Sequence, residues 1–301
     1  MTNTLPKIGW VGLGKMGTPM CGRLKAAGYD LTVRVRNEDG RRHAEALSLS
    51  TVTTFAALAE RADIVFSAVS DDTALLDIVF SEGGLGSVLR HGQIFVDTST
   101  VSPMASRQVA DALAEGGVGY IRAPVSGSTA SAEAGQLTVM LSGSPQDCVN
   151  CQPPLLAFSA RQFVVGRAEE ARYIKLAINS MLGGISALVA EALAFGARGG
   201  LDVKSMLEVM NASVVATPLL GYKTAMLENG DYSPAFTIGQ MMKDLDLFLF
   251  AGGEAHCPLP VATEIRRQFE AARAAGDGER DFFALTGRAL GSSNPADRLP
   301  L

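Results

Sequence analysis

Residues 8–17 read Ile-Gly-Trp-Val-Gly-Leu-Gly-Lys-Met-Gly, a short apolar run that passes into G-x-G-x-x-G and then into a helical pattern. Strand, glycine turn and helix in that order form the cradle that a dinucleotide's pyrophosphate needs. Gly12 permits the tight turn, Gly14 lets the backbone approach the phosphates, and Gly17 lets the helix pack close to the strand. The helix start adds unpaired N–H groups and partial positive charge. Leu13, Lys15 and Met16 complete the expected cofactor-binding segment.

The rest of the first half alternates apolar strands with helical stretches. Strands are expected over 8–11, 31–35, 62–69, 93–97, 120–123 and 137–142. A helix is expected over 18–27 with Gly28 as its C-cap, and another over 102–115 with Pro103 in its first turn. Such alternation predicts an α/β fold built on a doubly wound parallel sheet, with ligands beyond the carboxyl ends of the strands. The loops there supply further expected cofactor contacts at Val69, Ser70 and Thr100.

Near Gly166 the pattern changes, and strand signals almost vanish. With 301 residues there is room for two domains. The expected division is 1–165 for nucleotide binding, 166–290 for an all-α second domain, and 291–301 for a loose tail. Residues 174–198 are apolar on nearly every face and predict a helix buried by a neighbouring domain or by a partner subunit. Lys175, Asn179, Ser180 and Glu191 interrupt that run and argue against a membrane span. A homodimer or homotetramer follows as the expectation.

A formal net charge of −5 argues against nucleic acid as a partner. The first residues carry no charged-then-apolar leader pattern, so a cytoplasmic location is expected. Cys148 and Cys151 form C-x-x-C without a second pair, and are read as ordinary thiols near a helix, not as a metal site.

The adenosine ribose is read at the end of the second strand. There the chain has Val33-Arg34-Val35-Arg36-Asn37, with no acid for a free 2′-hydroxyl. Arg36, with Asn37 beside it, suits a 2′-phosphate, and Arg41 and Arg42 add positive charge. NADP is therefore the expected cofactor. NAD stays possible, since Glu38 and Asp39 follow at once.

Three polar groups interrupt these surroundings: Asp97-Thr98-Ser99-Thr100, the small-residue loop Ser126-Gly127-Ser128, and Lys175 with Asn179. The last two are four residues apart and share a helix face. The loop's donors suit a small carboxylate.

The chain resembles the β-hydroxyacid dehydrogenase family over roughly residues 7–290. GLGKMG (12–17), DTSTVSP (97–103), APVSGSTASAEAGQLTVMLSG (123–143), KLAIN (175–179) and KDLDL (243–247) occur in the family's order, with Phe236 upstream of the last. The resemblance implies an N-terminal Rossmann domain followed by an all-α domain. It also implies hydride transfer between NAD(P) and a small β-hydroxy acid or its semialdehyde, without a metal. Lys175 becomes the proton donor and acceptor, and Asn179 orients the substrate. Ser126 and Gly127 hold the carboxylate, and Lys243 closes over cofactor and substrate; Ser128, next in the same loop, is expected to join the substrate site.

Some positions depart from the family pattern. Of the glycine-rich approach G-x-x-G-x-G-x-x-x-K only Gly166 remains, with Glu169 and Ala171 in place of glycines. Ser180 replaces a second Asn, Ser128 a glycine, and Arg122 stands where an acid is common. The approach loop is therefore expected to be bulkier and to carry an added charge. Arg122 or Ser128 is expected to favour a more polar or more acidic substrate. Two other readings are a C=N (imine) reductase on the same architecture and a non-catalytic dinucleotide-binding redox sensor.

Overall fold

The computed structural model describes residues 5–291. The expected tail 291–301 lies, apart from Gly291, outside them. The chain forms two compact units, the first ending at Lys175 and the second beginning at Leu176.

In the first unit the elements run β1 (Ile8–Val11), α1 (Gly17–Ala26), β2 (Leu31–Arg34), α2 (Glu38–Ala46), β3 (Ser50–Val52), α3 (Phe55–Ala59), β4 (Ile64–Ser67), α4 (Asp72–Phe80), α5 (Leu85–Val88) and β5 (Ile94–Asp97). There follow α6 (Pro103–Glu115), β6 (Gly119–Arg122), β7 (Val125–Ser126), α7 (Thr129–Glu133), β8 (Leu137–Ser142), α8 (Pro145–Leu156), β9 (Ser159–Gly166) and the start of α9 (Glu170–Arg198). The sheet order is β3-β2-β1-β4-β5-β6-β8-β7, with β9 beside β8. Strands β3 through β6 are parallel. β8 runs antiparallel to β6 and β7, so the far edge is mixed.

Alternate residues of the central strands feed two cores. Ile8, Trp10, Phe66 and Val96 face one side, and Val65 and Phe95 the other, all fully buried. Burial on both faces is why these strands read as continuous apolar runs. Trp10 stacks on Phe66 at 5.5 Å, and Phe158 meets both rings edge-on.

Helix starts follow side-chain caps: Asn37 on α2, Asp71 on α4, Ser102 on α6 and Ser144 on α8. Gly28, with φ of +86°, lies one residue past the α1 C-cap Ala27. Strands β3, β7 and β9 have no counterpart in the sequence expectation. β3 buries only Val52, and β9 leaves Phe163, Val164 and Val165 exposed, so neither shows a buried run. Cys148 and Cys151 are free and buried on α8, where burial pushes both thiols up.

The second unit continues α9 and adds α10 (Val203–Ala212), α11 (Pro218–Asn229), α12 (Ile238–Glu254), α13 (Pro260–Ala272), a π-helical turn (Arg273–Asp277) and α14 (Ala284–Gly291). Its core gathers Leu193, Leu207, Met241, Leu245, Phe269 and Phe283. α9 is long and apolar enough to cross a membrane, with mean hydropathy 1.6 over its most apolar stretch. Its polar groups instead bind neighbours in this unit: Asn179 Nδ2 donates to Asp244 and Ser186 Oγ to the Phe282 carbonyl. Lys223 and Asp281 form a buried ion pair at 2.7 Å, and Asp281 also accepts the Phe283 N–H. A buried carboxylate needs such partners, because an ion taken out of water unpaired costs several kcal/mol.

Candidate active site

Gly12 has φ of +98°, and a Cβ there lies 2.2 Å from the Ala68 carbonyl oxygen. At Gly17 a Cβ falls 1.9 Å from the Gly12 oxygen. Both positions therefore require glycine for backbone reasons. Gly14 differs, because its Cβ meets nothing within 4 Å. The open side of the turn is there, where a phosphate can approach. Trp10 Nε1 donates to the Gly12 carbonyl at 3.0 Å, so the core indole fixes the turn from beneath. α1 begins at Gly17 with no side-chain cap, and Lys15 is exposed beside it. An uncapped helix start above an open glycine turn fits a pyrophosphate.

A recess of about 250 Å3 lies past the end of β2, lined by Arg34, Val35, Arg36, Asn37, Glu38, Arg41 and Thr53. Arg34 donates to the Thr53 carbonyl at 3.3 Å and lies 3.9 Å over the Phe55 ring. Burial, with Arg36 nearby, lowers its pKa. Arg41 pairs with Glu38 at 3.5 Å, and Arg42 pairs with Asp39. Three arginines thus line one recess, with Arg42 outside it.

Val69 and Ser70 follow β4, and Thr100 follows β5, both at carboxyl ends of parallel strands. β1 and β4 are neighbours, and helices leave them in opposite directions along the sheet, which is the switch point where this fold binds ligands. Ser126 ends β7, and Gly127 has φ of +138°. Ser128 caps α7 by accepting the Ser131 N–H at 3.2 Å. The three are consecutive, half-buried or exposed, and border the same loop.

Lys175 is 9% exposed. α9 starts at Glu170, four residues ahead of the expected 174, because Glu169 receives the first helical N–H bonds from Arg172 and Tyr173. The expected added charge of Glu169 is compensated: Arg122 Nε donates to its Oε1 at 3.0 Å, and both residues are buried. The guanidinium also lies 4.5 Å over the Tyr120 ring. Arg122 is thus engaged inside the unit, between the Glu169 carboxylate and the Tyr120 ring. Glu170 accepts the Ala168 N–H at 2.7 Å, and backbone N–H groups at the helix start hold its carboxyl below the usual range.

In the second unit, Asn179 Nδ2 donates to Asp244 Oδ2 at 2.5 Å, and Lys243 Nζ lies 2.9 Å from Asp244 Oδ1. Asp244 is buried and joins the two residues that the sequence singled out separately. Sequence reasoning missed it, although an acid inside Met-Met-Lys-Asp-Leu-Asp-Leu is a usable signal. Ser180 Oγ donates back to the Ala177 carbonyl of its own helix. Among the described residues no group of His, Cys, Asp and Glu is placed to hold a metal.

Fold and glycine turn together define a nucleotide-dependent oxidoreductase of two units. The NAD binding domain of 6-phosphogluconate dehydrogenase matches residues 7–166, and the NAD-binding domain of NADP-dependent 3-hydroxyisobutyrate dehydrogenase matches 170–288. The chain belongs to the β-hydroxyacid dehydrogenase family of the 3-hydroxyisobutyrate dehydrogenase type. It is 32% identical to 2-(hydroxymethyl)glutarate dehydrogenase of Eubacterium barkeri over 93% of each chain. It is 28% identical to glyoxylate/succinic semialdehyde reductase 1 of Arabidopsis thaliana, over 93% of this chain and 96% of that one. The structure of 3-hydroxyisobutyrate dehydrogenase from Salmonella typhimurium superposes with a TM-score of 0.84 at 25% identity, covering 93% and 99%.

Trp10 is the chain's one tryptophan and touches the glycine turn, so its fluorescence reports on the dinucleotide site. Gly12→Ala forces a left-handed alanine, costing about 1–2 kcal/mol before the clash with Ala68, and is expected to weaken NADPH at least about tenfold in a Trp10 quenching titration. Unchanged binding refutes this account of the turn.

Proposed function

We propose that this chain is an NADP-preferring oxidoreductase that interconverts a small β-hydroxy acid and its semialdehyde or oxo acid. The observation that carries the reading is a buried lysine, Lys175, in the second turn of a helix whose start is tied to the carboxyl edge of a dinucleotide-binding sheet.

NADP(H), when bound, supplies or takes the hydride. Hydride arrival at a carbonyl builds negative charge on its oxygen. Lys175 Nζ donates a proton to that oxygen in reduction and takes it from the hydroxyl in oxidation. Asn179, held by Asp244, orients the substrate. Ser126, Gly127 and Ser128 offer hydroxyl and N–H donors to the carboxylate. Lys243 supplies a second cation to substrate and cofactor. Gly12, Leu13, Gly14, Lys15, Met16 and Gly17 carry the pyrophosphate, with Val69, Ser70 and Thr100 as further contacts. The chemistry as read uses no metal. The nucleotide-binding domain is taken as 1–165, and the helical substrate and oligomerisation domain as 166–290.

Arg36 with Arg34 and Arg41 around one recess supports the 2′-phosphate, and with it NADP over NAD. A homodimer or homotetramer is supported by Met181, Leu188 and Phe195. They stand seven residues apart along α9 and are 65%, 67% and 84% exposed. Such an apolar stripe suits a second copy. Free cysteines fit a reducing compartment, hence a cytoplasmic protein.

A turnover panel tests the chemistry. NADPH and NADH are each paired with glyoxylate, succinic, methylmalonic and tartronic semialdehydes, and NADP with 3-hydroxyisobutyrate and 2-hydroxymethylglutarate. Lys175→Met is expected to lower kcat by roughly 10²–10⁴ while NADPH still binds. Turnover retained in that variant refutes the assignment, and activity confined to cyclic imines replaces it with C=N reduction. Arg36→Ser is expected to raise the KM for NADPH about tenfold or more and to leave NADH unchanged. An equal rise for both cofactors removes Arg36 from the 2′-phosphate. By light scattering, Phe195→Glu is expected to lower the oligomeric mass, and an unaltered mass places the subunit contact elsewhere.

A further inference from the structure

Four polar residues stand in one register row across the first unit's sheet. Pairing puts Ser67 beside Asp97, Asp97 beside Arg122, and Arg122 beside Ser142. All are buried, and three of them hold the chain that begins α9. Ser142 Oγ donates to the Ala168 carbonyl at 2.6 Å and accepts the Ala171 N–H at 3.3 Å. Arg122 holds Glu169. Asp97 Oδ2 accepts from Arg172 Nη2 at 2.6 Å.

Arg172 is 1% exposed. Its other bonds go to Ser106 Oγ at 3.1 Å, the Ser99 carbonyl at 2.8 Å and the Tyr120 hydroxyl at 2.9 Å. Asp97 Oδ1, in turn, accepts from Ser67 Oγ and Ser99 Oγ, both at 2.6 Å. Ser99 Oγ accepts the Val69 N–H at 2.9 Å. An unbroken chain of hydrogen bonds thus runs from Val69 through Ser99 and Asp97 to Arg172. Lys175 follows three residues later on the same helix, at a spacing that puts the two side chains on neighbouring positions of one face.

A buried ion pair is a poor source of stability, since apolar side chains anchor a helix without the loss of hydration. What a guanidinium adds is direction: its planar fork of donors fixes position and rotation together, which one ammonium cannot do. Such direction matters most where a reacting atom must be placed within a fraction of an ångström.

We propose that Arg172 is a positioning residue for the proton transfer. Its fork clamps the first turn of α9 to the loop after β5 and so sets Lys175 against the Val69–Ser99 segment. The inference rests on Lys175 as the proton donor. The clamp replaces the glycine-rich approach to the lysine: Glu169, Ala171 and Arg172 fasten the helix start by side-chain and backbone bonds to β5, β6 and β8.

The test compares Arg172→Lys and Tyr120→Phe with the unaltered chain. The second variant removes the hydroxyl's bonds to the guanidinium and to Ser106 Oγ and keeps the ring in the core. Misplacement of the donor is expected to lower kcat at least about tenfold in Arg172→Lys and about threefold in Tyr120→Phe. KM for NADPH and for the acid is expected to move by less than about threefold, and the solvent deuterium isotope effect on kcat to rise. A purely structural Arg172 lowers the melting temperature alone; wild-type kcat and isotope effect in folded Arg172→Lys overturn the proposal, as does a loss confined to KM. If Arg172→Lys does not fold, Tyr120→Phe decides by the same readouts. Lys175→Met separates the two readings. If it stays active, the donor assignment falls and this proposal with it. If it is inactive while Arg172→Lys behaves as wild type, only the clamp falls.

Discussion

Val11 lies opposite both Arg34 and Ser67 in the parallel pairing of β1 with β2 and β4, and that register decides where the chain can take hold of a dinucleotide. Parallel strands in register end at one level. The residues just past their ends, Gly12, Val35 and Ala68, are therefore brought to one edge. Gly12 must be glycine because the Ala68 carbonyl occupies the space of a Cβ. The arginine-lined recess sits at the end of β2 for the same reason. Shifting β1 by one residue would move Trp10 out of its stack on Phe66 and carry the turn away from both neighbours. The indole is thus a core residue whose N–H reaches the site.

Much of this was legible in the sequence, because the signals were local. Buried parallel strands read as apolar runs, the glycine turn has its own spacing, and α6 announces itself by Ser102 and Pro103. The mixed edge was not legible. β9 carries Arg161 and Gln162 in its middle and exposes Phe163, so no periodicity marks it. Of the candidate site, the individual residues were readable and their partnerships were not. Arg122 and Glu169 are 47 positions apart, and Arg172 and Asp97 are 75 apart. No spacing rule connects them, and each alone resembles a surface charge. Asp244 was hidden differently, standing next to a lysine that drew the attention.

The second unit treats charge in the same economical way. Asp244 serves Asn179 with one oxygen and lies against Lys243 with the other, while Asp281 serves Lys223 and two backbone N–H groups. In the first case one buried carboxylate joins α9 to α12, and in the second another ties α11 to the chain on either side of α12. A helix bundle held mainly by Leu and Met packing tolerates sliding, and directional bonds remove that freedom.

The pair of Arg122 with Glu169 also constrains which exchanges this chain can tolerate. An acid at 169 facing an acid at 122 repels, and an arginine at 122 facing a glycine is left buried without a counter-ion. Removing one partner of a buried pair costs about 3–5 kcal/mol, a large part of a domain's stability of about 5–15 kcal/mol. The two positions are therefore coupled in energy: exchanging either residue alone leaves one buried charge without its partner, whereas exchanging both together for well-packed apolar side chains need not.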